Sequence, residues 1–194
     1  MTTAEPVAPA TSATRTSLTG NYVLDAAHSR LGFSARHAMV TKVRGAFNEF
    51  EGSGYIDEAD PSKSHFKITI KATSIDTRNA DRDKHLRSND FLAMDDYPEI
   101  TFTSTAVEKV DDTNYKVTGD LTLRGTTRPV TVDLEFTGSV IDPWGNTRLG
   151  FEGGTTINRK DWGVNWNAPL EAGGVLVSER VNLEFELALI RAAS

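Results

Sequence analysis

Cysteine is absent from the 194 residues. That excludes disulfides, thiolate metal centres, iron–sulfur clusters and a cysteine nucleophile, and it leaves the redox compartment open. Long apolar runs are absent too: none approaches the roughly 20 residues that a bilayer-spanning helix needs, which limits any membrane relationship to the surface or to a lipid taken out of it. No run of Lys or Arg forms a basic stripe, and with a formal net charge of −6 the chain is unsuited to a nucleic-acid partner held by counterion release. Nor do the four histidines, His28, His37, His65 and His85, have a second ligand at metal-binding spacing, so no metal site is expected. The GxGxxG, P-loop, HExxH and GxSxG patterns do not occur. Ser64-His65-Phe66-Lys67 matches S-x-x-K in letters only, because it begins a strand instead of a helix.

What is present describes an ordinary soluble domain. Hydrophobic residues make up 38% of the chain and charged residues 25%, enough for one sizeable core. The first twenty residues are rich in Thr, Ala and Pro and lack the apolar block of a signal peptide. They read as a disordered tail, 1–20, ahead of a single domain, 21–194, and the expected location is cytoplasmic. A homodimer is left open.

From Asn21 onward the dominant signal is alternation with period two. Leu31, Phe33 and Ala35 form one such row, and Phe47 belongs to a following glycine-interrupted run. Phe66, Ile68, Ile70 and Ala72 face one way while Lys67, Thr69 and Lys71 face the other. The rows continue with Ile100, Phe102, Ser104 and Ala106, then Tyr115, Val117, Gly119, Leu121 and Leu123, then Val130, Val132, Leu134 and Phe136. The last runs through Val175, Val177, Val181, Leu183, Phe185, Leu187 and Leu189. These rows give about eight strands joined mostly by short turns, with no ordinary amphipathic helix, which favours an antiparallel barrel over a helix-covered sheet. A sandwich is the alternative. Medium-sized apolar residues in long strands point to an up-and-down barrel around an elongated apolar tunnel, lined by Phe33, Phe47, Phe66, Ile68, Ile70, Phe102, Leu121, Leu134, Phe136, Leu183 and Phe185.

One stretch breaks the alternation. Between Ser74 and Pro98 the charges Asp76, Arg78, Asp81, Arg82, Asp83, Lys84, His85, Arg87 and Asp90 recur at helical spacing, with Asp76, Thr77 or Asn79 as the cap and Pro98 as the stop. The spacing predicts a short helix in a long connection, and such connections are often functional. Arg78, Arg82 and His85 are concentrated there and are candidates for the polar head of a bound amphiphile, together with Trp144 and Trp162 as an aromatic rim. The alternative, that Asp76, Asp81 and Asp83 neutralise them and the cluster pins the helix to the barrel, stands beside it. Arg159, Lys160 and Asp161 read as a solvated turn. An enzyme reading, acting on such a lipid or on a small molecule, would use His28, His85 and Asp81 or Asp76 as acid and base; a third reading is a stress-related barrel with a filled core and no ligand.

Several motifs resemble one family. Tyr22-Val23-Leu24-Asp25-Ala26-Ala27-His28-Ser29, Val43-Arg44-Gly45-Ala46-Phe47, Ser74-Ile75-Asp76-Thr77 and Arg82-Asp83-Lys84-His85-Leu86 occur in order. They are followed by Asp90-Phe91, Tyr97-Pro98, Gly119-Asp120-Leu121-Thr122-Leu123-Arg124-Gly125 and Ile157-Asn158-Arg159-Lys160-Asp161-Trp162-Gly163. Together they resemble the YceI-like family from about Tyr22 to the end of the chain. The resemblance implies a lipocalin-like, extended eight-stranded antiparallel barrel whose interior holds a long isoprenoid or quinone-like lipid, stored or transported. It implies no catalytic residues and no required cofactor. Members are often exported, and this chain departs from them in lacking a recognisable signal peptide.

Overall fold

The alternating rows close into a ring. The computed structural model describes residues 16–193; residues 1–15, most of the stretch read as a tail, and Ser194 lie outside the described residues. The strands are β1 (Gly20–Leu24), β2 (Arg30–His37), β3 (Thr41–Phe47), β4 (Phe50–Ile56), β5 (His65–Lys71) and β6 (Ile75–Asp76), then, after helix α1 (Ala80–Arg87), β7 (Glu99–Lys109), β8 (Asn114–Leu123), β9 (Thr126–Ile141), β10 (Thr147–Asn158) and β11 (Val177–Arg191). All pairings are antiparallel, in the order β1-β4-β5-β7-β8-β9-β10-β11, and β11 closes on β1.

The three remaining strands continue three walls of the barrel. β1 and β2 both pair with β11, at Leu24↔Leu189 and at Leu31↔Phe185, so they are halves of one bent strand. β3 and β4 likewise lie along β2 and β1, and β5 and β6 along β4 and β3. The bends have local causes. Between β1 and β2 the Asp25 carboxylate caps a single 3-10 turn by accepting from Ala27 N, and between β5 and β6 another turn, Ala72–Ser74, shifts the chain. Counted as walls, the barrel is an up-and-down meander of eight strands, as the alternation predicts.

Two features show where alternation alone misplaces residues. A bulge between Ser104 and Ala106 inserts one residue into β7, so Ala106, expected inward, is exposed and Val107 turns in. Val175, counted with the last inward row, lies before β11 and is 40% exposed. The β8–β9 connection is a two-residue turn with positive φ at Arg124 and Gly125 (50° and 71°), the hairpin geometry whose twist matches the flanking strands. Hydroxyl pairs Thr118–Thr131 and Thr122–Thr127 line the outer face of that hairpin.

Helix α1 and the segment after it cross one end of the barrel. Asn79 caps α1 by accepting from Arg82 N, one of the three cap candidates read from the sequence. Arg87 ties the last turn to the carbonyls of Thr73 and Ile75. Phe91, Leu92, Trp162 and Val164 are all at least nine-tenths buried beneath it, and the Trp162 indole N–H donates to Leu121 O at 2.9 Å.

Candidate functional site

The interior is a channel of roughly 600 Å³, within the range typical of ligand sites. It is not a filled core. All eleven residues assigned from the sequence to an apolar tunnel line it; the strand register brings them together because each occupies the inward set of its strand. Several, such as Phe66, Leu134 and Leu183, are only half-buried, and the surface they keep faces the channel. Glycines make room for the rings. A Cβ on Gly119 would stand 2.4 Å from the Phe102 ring, and one on Gly54 would stand 2.5 Å from the Phe66 ring. The strand glycines thus leave the rings space against the wall that any side chain would take.

The two ends differ. At the α1 end Phe91, Leu92 and Val164 are buried and shut the channel. At the opposite end the lining becomes polar, with Asp57, Glu58, Ser64, His65, Lys109 and Asp112, of which His65, Lys109 and Asp112 are exposed. This is the mouth. Its carboxylates are held in turns: Asp57 accepts from Asp60 N at 2.8 Å, and Glu58 accepts from Leu18 N at 2.7 Å. Leu18, counted with the tail in the sequence, lines this end, and its carbonyl accepts from the fully buried Tyr22 hydroxyl.

The five residues grouped from the sequence around a head group are not brought together. Arg78, Arg82 and His85 lie at the shut end, whereas Trp144, 81% exposed, sits on the β9–β10 turn at the mouth end. None of the five lines the channel. Arg82 donates to Thr77 Oγ1 and to Thr77 O, and the buried Asp83 accepts from the Thr77 N–H and hydroxyl. The cluster fastens α1 to β6, as the alternative reading has it, but through Thr77: among the described residues no ion pair joins Arg78, Arg82 or His85 to Asp76, Asp81 or Asp83. Arg78 is exposed, with its N–H donated to Asp76. His85 meets Asp90 at 2.8 Å and stands edge-on to Phe91 and Trp166. Trp162 is 3% exposed and plugs the shut end instead of forming a rim.

The acid–base candidates are equally dispersed. His28 pairs with Asp25 at 2.7 Å and is 70% exposed at the β1–β2 bend, Asp76 accepts from Asn48 and Arg78, and none of His28, His85, Asp76 and Asp81 reaches the channel. No cluster of metal-ligating side chains occurs among the described residues, and none of their helices is long and apolar enough to cross a membrane.

Sequence reasoning missed Arg159. Instead of lying in a solvated turn it is 5% exposed, with Nε, Nη1 and Nη2 donating to the carbonyls of Ser178, Val164 and Val177 at 2.9, 2.7 and 3.2 Å. It lines the channel at the shut end. Only its place directly after a half-buried strand, before a Gly163 that turns the chain at φ 77°, hinted at a role beyond solvation.

A profile of the YceI-like domain matches residues 22–189, and the chain belongs to that family. It is 44% identical over 155 residues to the UPF0312 protein plu2095 of Photorhabdus laumondii, covering 79% of both chains. Among solved structures it resembles Burkholderia cenocepacia BcnA, with a TM-score of 0.75 and 24% identity over 85% of this chain and 98% of that one. It also resembles a polyisoprenoid binding domain from Saccharophagus degradans, implicated in plant cell wall breakdown, with a TM-score of 0.66 and 18% identity over 88% and 98%. At these identities the two structural likenesses speak for the fold.

Proposed function

We propose that this YceI-like protein binds a long isoprenoid chain in its barrel without transforming it, as a store or carrier of a polyprenyl phosphate or quinone-like lipid. The observation that carries the reading is the apolar channel running from the polar mouth to the shut end. Its lining offers water few hydrogen-bond partners, so filling it with solvent is unfavourable. Each methylene that replaces water there gains about 0.8 kcal/mol before ordering costs. The bore is also elongated: β9 alone lines it from Val130 to Phe136, about 20 Å of strand at the usual rise. An elongated apolar bore suits a linear chain better than a compact ring system. The likeness to the polyisoprenoid binding domain of Saccharophagus degradans supports the ligand class, and the dispersal of the acid–base candidates supports binding over catalysis.

The test is displacement of an apolar fluorophore by polyprenols of increasing length. Affinity should rise with each added prenyl unit and then level off once the bore is full. Affinity independent of length, or no displacement, would overturn the reading.

A further inference from the structure

The inner end of the channel carries a buried charge that has no ion-pair partner among the described residues. Arg159 is 5% exposed and lines the shut end. Its three nitrogens donate one N–H each to the carbonyls of Ser178, Val164 and Val177. A guanidinium has five N–H donors, so two have no acceptor among the described residues. Carbonyl dipoles orient the group but do not neutralise it. No carboxylate of the described residues lies within ion-pair distance of it: Glu179, which acts on it electrostatically, is half-exposed and paired with Lys160 at 2.8 Å. The groups closing that end are apolar, Leu86, Phe91, Leu92 and Val164 among them, and a charge in such surroundings interacts strongly with any opposite charge brought near. Burial pulls the affinity of Arg159 for its proton down, yet guanidinium stays charged at any physiological pH.

We infer that Arg159 forms an acceptor site at the inner end of the channel, and that the protein takes a long-chain amphiphile with a carboxylate or phosphate at one end and holds it head-inward, tail toward the mouth. This rests on the channel being a lipid site, as proposed above, and adds the class of head group and its direction. Clamping of the segment between Val164 and Ser178 accounts for three of the N–H groups; the site uses the other two.

Direction can be read with Arg159 intact. The chain has three tryptophans; in a Trp144→Phe variant the remaining Trp162 and Trp166 both lie at the shut end, against Phe91. Two stearic acids serve as probes, one with a nitroxide near its carboxylate and one with a nitroxide near its methyl end. The first should quench tryptophan fluorescence at least about twofold more strongly than the second. The opposite order overturns the head-inward assignment. Quenching by neither overturns the anionic class, while displacement of the apolar fluorophore by polyprenols would show the channel reading still standing. In a second arm geranylgeranyl phosphate, geranylgeranoic acid and geranylgeraniol compete for the site. The phosphate and the acid should each exceed the alcohol by about tenfold, and whichever is tighter identifies the head. Equal affinity of all three overturns the proposal. Arg159→Gln should abolish that preference while leaving the alcohol bound as before. A folded variant that keeps the preference counts against the site, and if the variant does not fold, the two arms on the intact Arg159 decide.

Discussion

The guanidinium of Arg82 holds Thr77, donating from Nε to its Oγ1 at 2.7 Å and from Nη2 to its carbonyl at 2.6 Å. With Asp83 accepting from the same residue, this fixes where β6 ends and α1 begins. Arg82→Ala should therefore cost roughly 1–3 kcal/mol, as loss of hydrogen bonds from a charged group does, and lower Tm by several degrees in a chain of this size. Head-group selectivity should not change. Thermal melts alongside the alcohol-against-carboxylate competition check this; an unaltered Tm with altered selectivity would return Arg82 to the ligand.

Leu183 faces the channel between Phe33 and Thr155 on the adjoining strands. Leu183→Trp should be accommodated with a Tm change of a few degrees or less, because the bore has room for the added atoms, in contrast to the overpacking cost of about 1–3 kcal/mol in a filled core. Affinity for a long polyprenol should fall at least about tenfold, roughly 1.4 kcal/mol, as the bore is blocked. Binding curves that match those of the unsubstituted protein would place the ligand elsewhere.

Gly119 is the floor beneath Phe102. Gly119→Val puts a Cβ 2.4 Å from the ring and 2.7 Å from Thr103 O, so the ring must swing into the bore. Denaturant unfolding should show a loss of about 1–3 kcal/mol. Adding Phe102→Leu should recover part of it, a coupling that a double-mutant cycle measures. Strict additivity would mean that the ring and the glycine do not interact.

Arg148 lies against Asp142 at 2.7 Å and Asp25 at 2.8 Å, joining the β9–β10 turn to the β1–β2 bend. The Arg148 hydrogen bond is the main cause that holds Asp142 down to about 2. A carboxylate whose folded pKa is depressed adds stability above its unfolded value, near 3.9, and loses it as pH falls toward about 2. Denaturation midpoints measured from pH 5 to pH 2 should decline through that window, and Arg148→Met should flatten the decline. An identical pH profile in the variant would show that the pair is not linked to folding.

The fold was legible because barrel walls expose one face and line a bore with the other, so period two survives along every strand. All eleven tunnel residues line the channel for that reason. The signal failed where one residue is inserted, as at the β7 bulge that turns Ala106 outward, since a bulge leaves no mark in composition. The ends of the barrel were not legible. Arg78, Arg82 and His85 cluster in sequence and suggest a site, but which end of a barrel is shut depends on chain packing far from them. Arg159 shows the converse: its place beside Lys160 and Asp161 reads as solvated, and only the fold brings the Val164, Val177 and Ser178 carbonyls around it.

The central claim, a long lipid chain in the bore, is tested most directly by native mass spectrometry of protein purified without detergent and incubated with a long polyprenol, alongside solvent extraction of the untreated protein. The account predicts a species heavier than the bare chain by one lipid, at one-to-one stoichiometry, and its loss in Leu183→Trp. A bare chain before and after incubation, with no lipid in the extract, would contradict it.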